Sequence, residues 1–312
     1  EPGNAVAHAD RAQELLALGD YATGLDEYEW RFRLPLPERR PLSSTLPRWD
    51  GGPLDGRTIF VTEEAGLSST LQFARFLPLL EQQGGRVLLE CGPDLSRLLE
   101  AMPAIHQVVP RGDVPEADCA IPIESLPLCF GTRLPTVPDQ VPYLPVQLWS
   151  GRIPPLPAGS GLRVGLVWQA PVGSAMERSI PLSRLAPLLA LPGITWYSLQ
   201  VGEGAEQLPG TRIIDLRSQL RDFADTAALV GQLDLVVTVD GPVAHLAGGL
   251  GRPVWVLLDS APAWVWGREG TETPWYPTAR LFRQVRPHDL AGVIELVREA
   301  LEQQVSAEAV RQ

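Results

Sequence analysis

The chemistry of this chain concentrates at Asp240 and the turn that follows it. The stretch holding them, LVVTVDGPVAHLAGGLGRPVWVLL at 235–258, reads as one βαβ unit. Leu235 to Val239 has the length of a buried strand, Asp240 ends it, Gly241-Pro242 turns the chain, and Val243 to Leu250 forms a short helix ended by Gly251. In an open parallel sheet this order sets Asp240 at a carboxyl edge, beside a helix N-terminus. Free backbone N–H groups and the positive end of the helix dipole suit an anion there, a diphosphate being a common one. A turn with no ligand fits the same residues, because every parallel sheet has such turns.

Composition bounds the ligand. The 312 residues carry 45% hydrophobic and 20% charged side chains, as expected of a globular protein with two cores and an appendage. No apolar run is long enough to span a bilayer, and the first thirty residues lack a secretory leader pattern, so a cytoplasmic location is the expectation. The net charge of -11 argues against a nucleic-acid groove. All 26 basic residues are arginine, which excludes Schiff-base and lysine general-base chemistry and leaves any phosphate to arginine or backbone N–H. Cys91, Cys119 and Cys129 show no metal-ligand spacing and read as reduced, mostly buried thiols; neither a metal nor a cofactor is expected.

The elements that must position these groups fall into three parts. Helical patterns at Asn4 to Leu18 and Tyr21 to Phe32 meet at Gly19-Asp20 in one hairpin, followed by a proline-rich connector; residues 1–50 form this part. Residues 51–150 alternate strands (58–62, 86–91, 108–109, 119–121) with helices (around 71–80 and 95–101), and a proline-dense segment from Pro135 to Pro157 follows. Residues 151–312 repeat the alternation: strands at 163–168, 195–200 and 212–215, helices at 183–190 and 223–232, the opening βαβ unit, and an amphipathic helix from about 288 to 304. The expected fold is α/β, with two facing, doubly wound parallel-sheet domains after a helical hairpin and the ligand between them.

Ala12, Leu15, Gly19, Tyr21, Gly24 and Tyr28 fall where a tetratricopeptide repeat (TPR) places its small and aromatic residues. GLDEYEWRFRLP at 24–35, LPRWDGGPLDGRTIFVTEEAGLSSTLQFARFLPLL at 46–80, VPYLPV at 141–146, RVGLVW at 163, RSIPL at 178, DFADTAALV at 222, DGPVAHLAGGLGRPVW at 240 and PWYPTARLFRQ at 274 extend the likeness. Together they resemble bacterial TPR proteins with a C-terminal domain similar to family 9 glycosyltransferases, the heptosyltransferase group of GT-B fold. The resemblance implies an inverting, metal-independent transfer from a nucleoside-diphosphate sugar held by the C-terminal domain to an acceptor on the N-terminal side. A protein or glycan acceptor is suggested by analogy with helical arrays that bind extended chains.

Carried over by position, the resemblance implies donor contacts from Arg178, Gln200, Asp225, Asp240, Gly241, Val243, Ala244 and His245. Arg178 would bridge the diphosphate, Gln200 would meet ribose or base, and Pro242, lacking an N–H, would leave its neighbours as donors. His245 fits either a phosphate donor or a packing residue, and Asp225 either a contact or a helix cap. The chain departs from the family at the base. Relatives read Glu-Gln-Gly-Leu-Gly-Asp-Thr in the first turn, where this chain has Glu63-Glu64-Ala65-Gly66-Leu67-Ser68-Ser69-Thr70, so Ser69 stands at the Asp position. A serine is no base near neutral pH, which leaves Glu63 or Glu64 as substitute, or both as solvated turn carboxylates. Trp255, Trp264, Trp266 and Trp275 suit either a sugar-stacking role or a core. Two functions remain: a glycosyltransferase, or a catalytically degenerate relative that binds nucleotide sugar or serves as a scaffold.

Overall fold

A computed structural model describes residues 3–34, 46–145, 153–156, 161–170 and 178–311. The connector prolines Pro35, Pro37 and Pro41 lie outside them. The chain forms two compact units, Glu1–Pro145 with Ala263–Arg268 and Val146–Pro262 with Glu269–Gln312.

The first unit opens with a hairpin of α1 (Ala5–Ala17) and α2 (Tyr21–Tyr28). Asn4 accepts the Val6 and Ala7 N–H groups and Asp20 accepts that of Thr23, so side chains satisfy donors that each helix start leaves unpaired. A Cβ placed on Gly24 would come within 2.8 Å of the Leu16 side chain, so the two helices approach where only hydrogen fits. The helix expected to reach Phe32 instead tightens into a 3₁₀ turn over Glu29–Arg33.

Its sheet comprises β1 (Thr58–Thr62), β2 (Arg86–Cys91), β3 (Gln107–Pro110) and β4 (Cys119–Pro122), parallel throughout and in the order β3-β2-β1-β4. The linking helices are α3 (Leu67–Phe73), α4 (Leu77–Gln82) and α5 (Pro93–Leu99), with α6 (Leu126–Cys129) after β4. Phe60, Leu88, Val109 and Ala120 cluster on one face of the sheet. The outer edge of β4 is paired, since Ala120 exchanges backbone hydrogen bonds with Pro47 and Trp49.

The second sheet comprises β5 (Leu162–Val167), β6 (Ile194–Ser198), β7 (Ile214–Asp215), β8 (Leu235–Val239), β9 (Val254–Leu258) and β10 (Ala279–Arg283). It is also parallel throughout, in the order β10-β9-β8-β5-β6-β7. Helices α7 (Ala186–Leu189), α8 (Phe223–Val230) and α9 (Pro242–Gly249) link strands, and α10 (Leu290–Arg311) closes the unit. Every residue of β8 and β9 is buried, which accounts for their unbroken apolar runs. In both sheets the chain builds outward in one direction and then returns to the other side of its first strand. That reversal creates a crevice between β1 and β4 and another between β5 and β8, the places where open α/β sheets take ligands.

The four tryptophans are core residues, each at most 7% exposed. Trp264 leaves the second sheet's sequence to pack in the first unit, edge-on to Tyr21 and Tyr28 and stacked on Phe73. Removing it opens a large void, so Trp264→Ala should cost the first unit about 3–5 kcal/mol in denaturant unfolding. An unchanged first transition would mean that residues 263–268 carry no part of that core.

Candidate functional site

The crevice of the second sheet is built from turns after β5, β6, β8 and β9. Asp240 caps the end of β8, Gly241 adopts an extended backbone, and α9 begins at Pro242. The Ala244 N–H donates to the Gly241 carbonyl at 3.0 Å, so this expected phosphate donor already has a partner within its own turn. Val243 holds the second position of the helix, where no preceding turn supplies a carbonyl. His245 is 3% exposed, with Nδ1 2.8 Å from the Tyr276 hydroxyl. The Tyr276 ring packs so closely on Gly248 that a Cβ there would lie 2.4 Å from it. This contact fastens α9 to the segment before β10.

Arg178 is delivered to this edge by backbone bonds. The Ile180 N–H donates to the Trp168 carbonyl at 2.7 Å, and the Ser179 hydroxyl accepts the Ala170 N–H at 3.1 Å. The guanidinium thereby comes within 3.3 Å of Asp240 and 4.0 Å of Asp259, the residue that ends β9. Arg178 is 31% exposed, whereas the two aspartates are 7% and 10% exposed. One accessible cation therefore faces two largely buried carboxylates at a sheet edge. Asp259 was missed in the sequence, although it ends an apolar strand just as Asp240 does.

Gln200 is fully engaged in holding the crevice wall. Its Oε1 accepts the Trp168 and Gln169 N–H groups at 3.2 and 3.0 Å, and its Nε2 donates to the Glu203 carbonyl at 2.9 Å. It clamps the turns after β5 and β6 to each other. Asp222, rather than Asp225, caps α8 by accepting the Ala224 and Asp225 N–H groups. Asp225 pairs instead with Arg221, whose Nε donates to it at 2.9 Å.

The expected base turn lies at the crevice of the first sheet. Glu63 and Glu64 are each 3% exposed at the side chain, so neither is a solvated turn carboxylate. Arg111 grips Glu63 through two N–H donors, and the Gly92 N–H adds a third bond at 3.1 Å. Arg31 grips Glu64 through Nε at 2.7 Å and Nη2 at 2.9 Å. Both oxygens of each carboxylate already accept N–H donors, whereas a general base must reach the proton it removes. Ser69 sits half-buried in the first turn of α3. The three candidates lie on the one connection after β1, but Glu63 is held by Gly92 and Arg111, which follow β2 and β3, and Glu64 by Arg31, so two are committed to arginine.

The described residues contain no group of three or more His, Cys, Asp or Glu side chains arranged to hold a metal. Burial pushes the Cys91 thiol up to about 12 and the Cys129 thiol to about 11, which keeps both in the unreactive protonated form. No helix among the described residues is long and apolar enough to cross a membrane.

No family model matches the chain. Protein FlbA of Caulobacter vibrioides is 30% identical over 318 residues, covering 87% of this chain and 51% of FlbA, so the chain spans about half the length of that relative. The solved glycosyl transferase family 9 structure from Veillonella parvula aligns with a TM-score of 0.61 at 13% identity, covering 85% of this chain and 100% of that one. The E. coli heptosyltransferase WaaC with ADP-2-deoxy-2-fluoro heptose gives 0.54 at 13% identity, covering 79% and 99%. At these identities the likeness is one of fold: two parallel α/β sheets of the kind that GT-B-like glycosyltransferases share.

The first crevice has a pH signature. Burial alone would raise the Glu29 pKa, but Arg31 and Arg48 outweigh it and hold the carboxyl below its ordinary value of 4.5. A lowered folded-state pKa contributes stability that is complete above 4.5 and lost as the pH falls through the folded value. Denaturant midpoints for the native chain should therefore fall more steeply below that pH than those of Glu29→Gln. Parallel curves would remove Glu29 from the acid response.

Proposed function

We propose that the chain is a nucleotide-sugar glycosyltransferase that holds its donor at the crevice of the second sheet. The observation carrying this reading is the meeting of Arg178 and Asp240 beside the start of α9. A diphosphate placed there draws on the helix dipole, the Val243 N–H and the Arg178 guanidinium, which can exchange its contact with Asp240 for one with phosphate. Asp240 and Asp259 repel phosphate but accept hydroxyl hydrogens, so they suit the sugar. The leaving diphosphate would be stabilised by these same donors, consistent with an inverting, metal-independent displacement on a protein or glycan acceptor. The fold likeness to glycosyltransferases supports this reading, and the repeat-like hairpin remains a candidate acceptor-binding element.

A second reading, donor binding without transfer, is favoured by the state of the base turn. Glu63 and Glu64 are arginine-bound and Ser69 is not a base. Donor consumption by the native chain, Glu63→Gln, Glu64→Gln and Ser69→Asp distinguishes the two. If either glutamate is the base, its Gln variant should lose about 10² to 10⁴ in rate at unchanged nucleotide affinity. Absence of native turnover, with slow activity appearing in Ser69→Asp, selects the degenerate reading.

Donor placement is tested separately by calorimetry with nucleoside diphosphates. Arg178→Ala should weaken binding by about 1.5–3 kcal/mol, the range for a hydrogen bond to a charged group. Unchanged affinity would take Arg178 out of the site.

A further inference from the structure

The motif EYEWRF at 27–32 lies outside the proposed donor site and supplies a buried, multiply hydrogen-bonded charge. Arg31 is 1% exposed, and its five N–H donors meet five acceptors. Nε and Nη2 reach the two oxygens of Glu64 at 2.7 and 2.9 Å. Nη1 reaches the Tyr28 carbonyl at 3.1 Å and Glu29 Oε1 at 2.7 Å, and Nη2 also reaches the Ser125 hydroxyl at 2.7 Å. Glu124 stands 3.7 Å from Nε and accepts the Tyr28 hydroxyl at 2.7 Å. The guanidinium carbon lies over the rings of Tyr28 and Phe32, 4.4 and 4.2 Å from their centroids. Glu64 follows β1, while Glu124 and Ser125 follow β4, so this cage occupies the crevice where the first sheet would otherwise take a ligand.

We propose that the carboxyl edge of the first sheet is a guanidinium-recognition site whose occupant is the chain's own Arg31, making the 29–33 turn a ligand in cis that closes this crevice. The planar slot, the paired carboxylate oxygens and the aromatic rings match a guanidinium fork; an ammonium group offers three donors with no plane and leaves acceptors unfilled. The carboxylates favour a cationic occupant: Glu29 and Glu64 pair with Arg31, Glu124 stands 3.7 Å from it, and Glu29 also pairs with the more exposed Arg48. This inference goes beyond the nucleotide reading and stands or falls independently of it.

Chemical rescue tests it. Arg31→Ala in the full chain should lower the melting temperature by about 5 °C or more, since removing one partner strands buried charge. Millimolar guanidinium chloride should restore a saturable part of that loss, while equal concentrations of sodium chloride or urea do not, and the native chain should show no such gain. Arg31→Lys should stay as unstable as Arg31→Ala. If Arg31→Ala does not fold, its refolding by dilution into guanidinium or sodium chloride gives the same comparison, with folded protein expected only in the first. Ser125→Ala, which keeps the occupant, should lose less stability and gain nothing from guanidinium. Equal recovery in sodium chloride, failure of guanidinium to restore either stability or refolding, or native-like stability of Arg31→Lys would overturn the proposal.

Discussion

Every strand in both sheets runs parallel to its neighbours, and the rest of the molecule follows from that constraint. Parallel pairing places all carboxyl ends of a sheet on one edge and forces each connection back through a crossover. Residues far apart in the chain then meet at one crevice: Glu64 with Glu124 and Ser125 in the first sheet, Arg178 with Asp240 and Asp259 in the second. The two crevices have opposite fates. Three carboxylates close around a buried arginine in the first, whereas the second presents a partly exposed arginine beside a helix start.

Arginine is the chain's only basic side chain apart from histidine, and its geometry shapes both edges. A guanidinium offers several donors in one plane, so it can grip a carboxylate with two bonds and still reach a carbonyl or hydroxyl. Arg31 and Arg111 use that capacity to immobilise the two glutamates of the first turn. Arg178 makes longer contacts, at 3.3 and 4.0 Å, and keeps about a third of its side chain accessible. Arg31 is thereby buried and saturated with acceptors, whereas Arg178 keeps accessible surface.

Much of the fold was legible because its strands are short apolar runs bounded by turns. The βαβ unit at 235–258 formed nearly as read, with strand, turn, helix and second strand in place. The helix read around 71–80 breaks at Ala74–Phe76, where Pro78 withholds an N–H and crowds the preceding turn. Strand β10 was missed because arginines at 280 and 283 interrupt its apolar pattern. Of the candidate site, Arg178 and Asp240 were legible as individual residues but their contact was not. Nothing local to Arg31 announces a partner at Glu64, and nothing around Trp264 announces that its core lies in the first unit. Such pairings are properties of topology, which periodicity does not encode.

The central claim is that the start of α9 and its neighbouring arginine form the donor site. The most direct measurement is a crystal structure of the chain soaked with a nucleoside diphosphate. The account predicts phosphate oxygens within hydrogen-bonding distance of the Val243 N–H and the Arg178 guanidinium, with the Arg178–Asp240 contact opened. An ordered nucleotide elsewhere on the chain, with that contact intact, would contradict it.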